Sequence, residues 1–208
     1  VELGSGKVHR FPWTQLDAPP LVASQGAAWW AAWTLPGPGE NQAVAWRQGR
    51  MQALAAGDQL EAVDMACGSQ HCAVLSTLAT RSATPGATVS YTDGSAAVNV
   101  VHEGEQPWRP LAIAASGDRF FAALSSDTQT LVFEVGQTQA KATVVTPHGA
   151  LSLVLGDGPL VIARGADPET PCQPKGFPLV VHAANERRAE LLANAPPRGL
   201  FAAPVAKG

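Results

Sequence analysis

The sequence predicts an all-β protein assembled from repeated four-stranded units. Three features lead there: a recurring order of apolar runs and tight turns, a high density of Gly and Pro, and apolar spacing of two residues. LVASQGAAWWAAWT, VDMACGSQHCAVLSTL, LAIAASGDRFFAALSS and LSLVLGDGPLVIARG each read as strand, turn and strand. A second hairpin follows each one: AVAWRQGRMQAL, TVSYTDGSAAVNVV, LVFEVGQTQAKATVV and LVVHAANERRAELL. The first turns fall near Gly26, Gly68, Gly117 and Gly158, a period of roughly 40 to 50 residues that marks a repeat architecture.

The individual elements follow from local chemistry. With 20 Gly and 17 Pro in 208 residues, few windows are long enough for a helix, although stretches such as Ala53-Leu54-Ala55-Ala56 favour one locally. Val89 and Tyr91, then Asp93-Gly94-Ser95, then Val98 and Val100 alternate as a half-buried hairpin does. Residues 183–195 carry the one stretch with helical character. Their position matches the second hairpin of the other units, so a strand pair is expected. The units are read as 19–57, 60–105, 108–147 and 148–196, with first strands at 21–24, 62–66, 111–115 and 151–155. The opening segment VELGSGKVHRF reads as the second half of a unit, and GLFAAPVAKG at 199–208 reads as an opening strand, continued by 200–203. Segments 199–208 and 1–16 would then be the two parts of a split fifth unit.

Arranged this way, nearly the whole chain resembles a β-propeller, of WD40-like or YVTN-like repeat architecture. The resemblance rests on period and hairpin pattern. The Gly-His and Trp-Asp pairs of WD40 repeats, the paired glycines of kelch repeats and the Asp-box of sialidases do not occur in the sequence. What the resemblance implies is a ring of blades whose first strands line a central channel, and no particular activity. Two geometries accommodate the split unit. One is a five-bladed ring closed by its own ends, which removes exposed sheet edges. The other is a section of a larger propeller completed by the rest of the polypeptide or by another chain.

Composition narrows the function. At 46% hydrophobic residues the chain can bury a sizeable core, and a single domain over 1–208 is expected. Lys and Arg number 14 against 17 acids and are scattered, so no basic patch exists to neutralise phosphates, and nucleic acid is excluded as a partner. No apolar run reaches the roughly 18 to 20 residues of a spanning helix, so no membrane span is expected. The sequence opens at Val1 without an initiator Met or signal-like segment, which reads as a processed or trimmed chain.

Cys67 and Cys72 bracket Gly68-Ser69-Gln70-His71. A four-residue loop sets them opposite one another across a hairpin, within disulfide reach, and such a bridge belongs to an oxidising compartment, periplasmic or extracellular. The alternative is two reduced cysteines packed as small apolar residues. Cys67, His71 and Cys72 lack zinc-site spacing and no second ligand pair follows, so neither metal nor cofactor is expected. Cys172, in DPETPCQPKGFP, is left free or bonded to a partner.

Propeller hydrolases need carboxylates converging on the channel, one acid and one base or nucleophile. On the first strands only Asp64 supplies one, and a single channel-facing acid is expected to be a hydrogen-bonded structural residue. Asp58, Asp93, Asp118, Asp127 and Asp157 fall in turns, where Asp caps its own backbone. Gly-x-Ser-x-Gly is absent, and His71, His102, His148 and His182 do not share one register; His102 and His148, near unit ends, make the one similar pair, and ordinary surface or capped histidines are expected there rather than metal ligands. Trp29, Trp30, Trp33 and Trp46 are four of the six tryptophans and share one unit. In a strand Trp29 and Trp33 face one way and Trp30 the other. Packing between units accounts for one face, leaving a candidate sugar- or protein-binding patch on the other. Trp108 and Arg109, read as part of a connection, are candidates for the same kind of surface. The expected function is non-catalytic binding or scaffolding by an exported protein. Its partner would be another protein chain, the remainder of its own polypeptide, or a glycan. The alternative is a carbohydrate-active hydrolase or lyase with part of its active site outside this chain.

Overall fold

A computed structural model describes residues 20–77, 86–101, 108–126, 129–136, 140–146, 150–155, 159–164, 177–183 and 186–195, with side-chain detail up to residue 136. The proposed fifth unit (1–16 with 199–208), Cys172, His102 and His148 lie outside the described residues. Among those described, every regular element is a strand. The first sheet holds β1 (Leu21–Gln25), β2 (Ala28–Leu35), β3 (Asn41–Arg47) and β4 (Arg50–Gly57). The second holds β5 (Ala62–Cys67), β6 (Cys72–Thr77), β7 (Gly86–Tyr91) and β8 (Val98–Val101). The third holds β9 (Arg109–Ser116), β10 (Arg119–Ser125), β11 (Thr130–Val135) and β12 (Ala140–Thr146). The fourth holds β13 (Ala150–Leu155), β14 (Pro159–Arg164), β15 (Phe177–Ala183) and β16 (Glu186–Ala195).

Each sheet is an antiparallel meander whose strands pair in chain order. The fold is therefore all-β, built from repeated hairpins. β16 is a strand: it pairs with β15 and sets Ala189 opposite His182, so the helical character of this stretch is overridden by its ladder. The first strands of successive sheets are neighbours, β1 against β5, β5 against β9 and β9 against β13.

Alternation of side chains across each strand gives every sheet two faces, and the second sheet buries both. Cys72 and Val74 of β6 join Met65 and Ala32 in an apolar layer against the first sheet. Ala73 and Leu75, on the opposite side of the same strand, pack with Val89, Ile113, Phe120 and Leu124 against the third. All six residues of β7 are buried. Complete burial of a Val, Leu or Phe side chain stabilises by about 1.5–3 kcal/mol, so this middle sheet holds its neighbours on both sides.

A register irregularity recurs near the start of the first strands. In β5 the ladder steps from Ala62 to Asp64, skipping Val63. In β9 it skips Leu111, and in β13 it skips Leu151. Such bulges bend a strand and re-aim the following side chain. Each bulged residue is a Val or Leu near the start of its first strand.

Gly68 sits where the turns of the second and third sheets meet. A Cβ there would lie 2.5 Å from the Gly117 carbonyl oxygen and 3.1 Å from Asp118 Oδ1. Gly26, by contrast, has φ +58° and open space around it. We expect Gly68→Ala to lower the unfolding free energy by about 1–3 kcal/mol through overpacking, more than Gly26→Ala, which adds backbone strain alone. Urea denaturation of the two variants checks this. Equal costs would mean that the close approach of the turns is not what Gly68 permits.

Candidate functional site

The turns that end β1, β5 and β9 are hydrogen-bonded in series. Gln25 Nε2 donates to the Ser69 carbonyl at 3.2 Å, joining the first sheet to the second. Ser69 N donates to the Gly117 carbonyl at 3.3 Å. Asp118 then holds the same loop with both oxygens: Oδ2 accepts from Ser69 Oγ at 2.7 Å and Oδ1 from Gln70 N at 2.9 Å. Cys67 and Cys72 are disulfide-bonded with Cα atoms 3.9 Å apart, and Gly68 N donates to the His71 carbonyl at 2.9 Å inside the loop they close. Trp30 supports this rail from behind, donating through Nε1 to Gln25 Oε1 at 3.2 Å while the Arg47 guanidinium covers its ring at 5.2 Å.

Two of the turn aspartates, Asp93 and Asp118, behave differently, while Asp127 and Asp157 lie outside the described residues. Asp93 caps its own turn as the sequence predicts, accepting from Ser95 N at 2.8 Å, and that bond leads in holding its carboxyl below the ordinary value. Asp118 reaches across to the neighbouring sheet. The Ser69 hydroxyl, then the Gln70 N–H, hold its carboxyl low. The difference arises because Gly68 has no side chain to keep the Gly117-Asp118 turn at a distance.

His71 lies between these groups. Its Nδ1 is 3.8 Å from Asp93 Oδ2, beyond hydrogen-bond length, and its ring packs on Tyr91 at 5.3 Å and Phe120 at 5.2 Å. Burial, then Asp93, pushes the Tyr91 hydroxyl up to about 12, so at neutral pH it is an uncharged donor, to the Gly136 carbonyl at 3.3 Å. The nearby Ser69 hydroxyl donates to the Asp118 carboxylate.

Asp64, the one acid on the first strands, sits directly after the Val63 bulge. Its Oδ1 accepts from Met65 N and its Oδ2 from Ile113 N, both at 2.8 Å, so it ties β5 to β9. Burial raises its pKa and outweighs the two N–H groups, which lower it. The carboxylate is a bridge between sheets, with each oxygen already engaged.

The tryptophans separate into three places. Trp33 and Trp46 are 3% and 5% exposed on the outward face of the first sheet, with Trp29 tilted against Trp46 at 5.2 Å. The row through Trp46 ends in exposed Val22 and Met51. Trp30 points the other way, toward the second sheet. Trp108 is enclosed in the apolar layer between the second and third sheets, and Arg109 is exposed at the start of β9 rather than in a connection. No single surface gathers all six candidate residues.

Sequence reasoning did not single out the cleft where the first and second sheets part, on the side of the 58–61 linker. It encloses about 450 Å³ and is lined by Leu21, Trp33, Thr34, Pro36, Asn41 and residues 58–62. The linker is pinned by side chains: Thr34 Oγ1 accepts from Ala62 N at 2.8 Å and Asn41 Nδ2 donates to the Leu60 carbonyl at 3.2 Å. Thr77 Oγ1 accepts from Glu61 N at 2.8 Å and donates to the Gln59 carbonyl at 2.9 Å. The signal was GDQLE, a polar linker interrupted by Leu60, which is 1% exposed.

Among the described residues no group of three His, Cys, Asp or Glu side chains comes together to hold a metal ion, and no helix is long and apolar enough to cross a membrane. No protein-family model matches the chain, and neither a curated protein nor a solved structure is significantly similar to it.

Two outcomes test the inter-sheet carboxylates. Asp64→Asn keeps one acceptor and opposes the other backbone N–H with an amide, and is expected to cost about 1–3 kcal/mol of stability by denaturant titration. Asp118 is a lowered group, so its stabilisation is complete above the ordinary value of 3.8 and is lost as pH falls through the lower folded value. Asp118→Asn should therefore be less stable than the parent at about pH 6, with the gap closing in acid. A gap that does not change with pH would mean the charge of Asp118 plays no part in binding the loop.

Proposed function

We propose that the chain is a non-catalytic binding module of β-propeller type, exported to an oxidising compartment, with the cleft between its first two sheets as a glycan site. The observation that carries this reading is the engagement of Asp64 and Asp118. Both oxygens of each are engaged: Asp118 holds the neighbouring loop with two, and Asp64 accepts from Ile113 N of the next sheet with one and from Met65 N of its own strand with the other, a structural task that counts against a proton-exchange role. The propeller reading draws support from four successive meanders with adjacent first strands, the arrangement of neighbouring blades. Export draws support from the Cys67–Cys72 bridge.

The ligand class follows from the cleft lining. Leu21 and Pro36 supply apolar surface, while Thr34, Asn41, Gln59 and Glu61 supply hydroxyl, amide and carboxylate groups. Planar amides and carboxylates over an apolar floor suit a neutral, hydroxyl-rich ligand. Asp58 and Glu61 line the cleft without a Lys, Arg or His, which disfavours an anionic one.

Calorimetric titration with neutral oligosaccharides, preceded by a glycan array to choose them, tests the reading. A ligand bound by the parent should bind about tenfold or more weakly to the Gln59→Ala/Glu61→Ala double variant, a loss of about 1.4 kcal/mol. Undiminished binding would move the site away from the cleft. Cleavage of the bound sugar would replace the binding reading with an enzymatic one.

A further inference from the structure

We propose that the Cys67–Cys72 disulfide is a redox lock on the packing of three sheets. Closed, it presents the 68–71 loop to the turns on either side. Open, it releases both neighbours at this end and leaves the opposite end packed. The inference is independent of what the cleft binds.

Four inter-sheet hydrogen bonds converge on two exposed residues of that loop. Gln25 reaches the Ser69 carbonyl from the first sheet. From the third come the Gly117 carbonyl, which accepts from Ser69 N, and the Asp118 carboxylate, which accepts from Ser69 Oγ and Gln70 N. Ser69 and Gln70 are surface residues with little apolar burial to hold them, so the position of their backbone depends on the loop's own closure. That closure consists of the disulfide, the Cys67–Cys72 rung of the β5–β6 ladder and one hydrogen bond, Gly68 N to the His71 carbonyl. Removing the covalent link returns conformational freedom to the loop, and all four bonds draw on the same ordered backbone.

The opposite end is organised without cysteine. There Thr34, Asn41 and Thr77 pin the linker through hydroxyl and amide groups. A redox change at Cys67 and Cys72 therefore acts on one end of the sheets only. Cys72 is fully buried and Cys67 half-buried, so a reductant approaches from the Cys67 side. With a dithiol reductant, one thiolate attacks Cys67 Sγ, the S–S bond breaks and Cys72 leaves as a thiolate that takes up a proton. The reductant's second thiolate then displaces Cys67, which is protonated in turn. Two electrons and two protons pass to the cysteines and the reductant becomes a disulfide.

Site-resolved amide hydrogen exchange, measured by NMR on the folded chain before and after dithiol treatment, tests the lock. The Ser69 and Gln70 amides should exchange at least about tenfold faster after reduction, while the Ala62 and Met65 amides, held by Thr34 and Asp64, keep their rates. Unchanged rates at Ser69 and Gln70 overturn the proposal. Equal acceleration at both ends also overturns it, since the bridge would then be a general staple. The Cys67→Ser/Cys72→Ser double variant should show the reduced pattern without any reductant, which separates the bridge from Cys172. Failure of that variant to fold would count with the staple.

Discussion

The first three sheets carry apolar side chains on both faces, and the rest of the structure answers to that constraint. A meander such as β5 to β8, with β7 buried along its whole length, cannot stand in water by itself. It needs a neighbour against each face, and the neighbours have the same need. Stacking is thus a condition of folding for every unit, and a repeated sequence pattern becomes a repeated packing problem solved the same way each time.

Apolar stacking fixes distance between sheets better than it fixes register, because dispersion and hydrophobic burial are only weakly directional. Polar bridges supply the direction. Asp64 joins β5 to the Ile113 backbone, and the chain from Trp30 through Gln25 to Ser69, and on to Asp118, aligns three turns. The Val63 bulge matters here because a regular ladder would not deliver the Asp64 carboxylate to the same spot. The three first-strand bulges therefore connect local backbone irregularity to long-range alignment.

Much of this was legible in the sequence and some of it could not be. Hairpins and turn positions follow from alternation and Gly placement, which are local properties, whereas the strand character of 186–195 was read from its place in the repeat against a local helical preference. The Cys67–Cys72 pair was readable because a four-residue loop confines its ends. The opposite facing of Trp30 from Trp29 and Trp33 follows from the period of a strand. Asp118 was not readable, since the turn chemistry that describes Asp93 describes it equally well. Only the approach of a turn 49 residues away separates the two. Trp108 lies just ahead of β9, in the connection its flanking prolines indicate, but its burial in the apolar layer between two sheets was not readable. The cleft was missed because its lining comes from both sheets and the linker, and no single segment carries its signature.

The two ends of the sheets are held by different chemistry. At the turn end, a disulfide, a carboxylate with two donors and a close glycine contact combine to hold three sheets in fixed relation. At the linker end, the sheets are joined by neutral hydroxyl and amide bonds around an open cleft. Neutral bonds of this kind contribute about half of what charge-assisted ones do. The charge-assisted bonds, from Asp64 to the Ile113 N–H and from Asp118 to the 68–71 loop, tie the second sheet to the third, while the first sheet meets the second through neutral groups at both ends, Gln25 at one and Thr34 and Asn41 at the other. In the reading proposed above, a ligand in the cleft would order the seam with the weaker bonds. The oxygens of Asp64 and Asp118 are what hold the other seam.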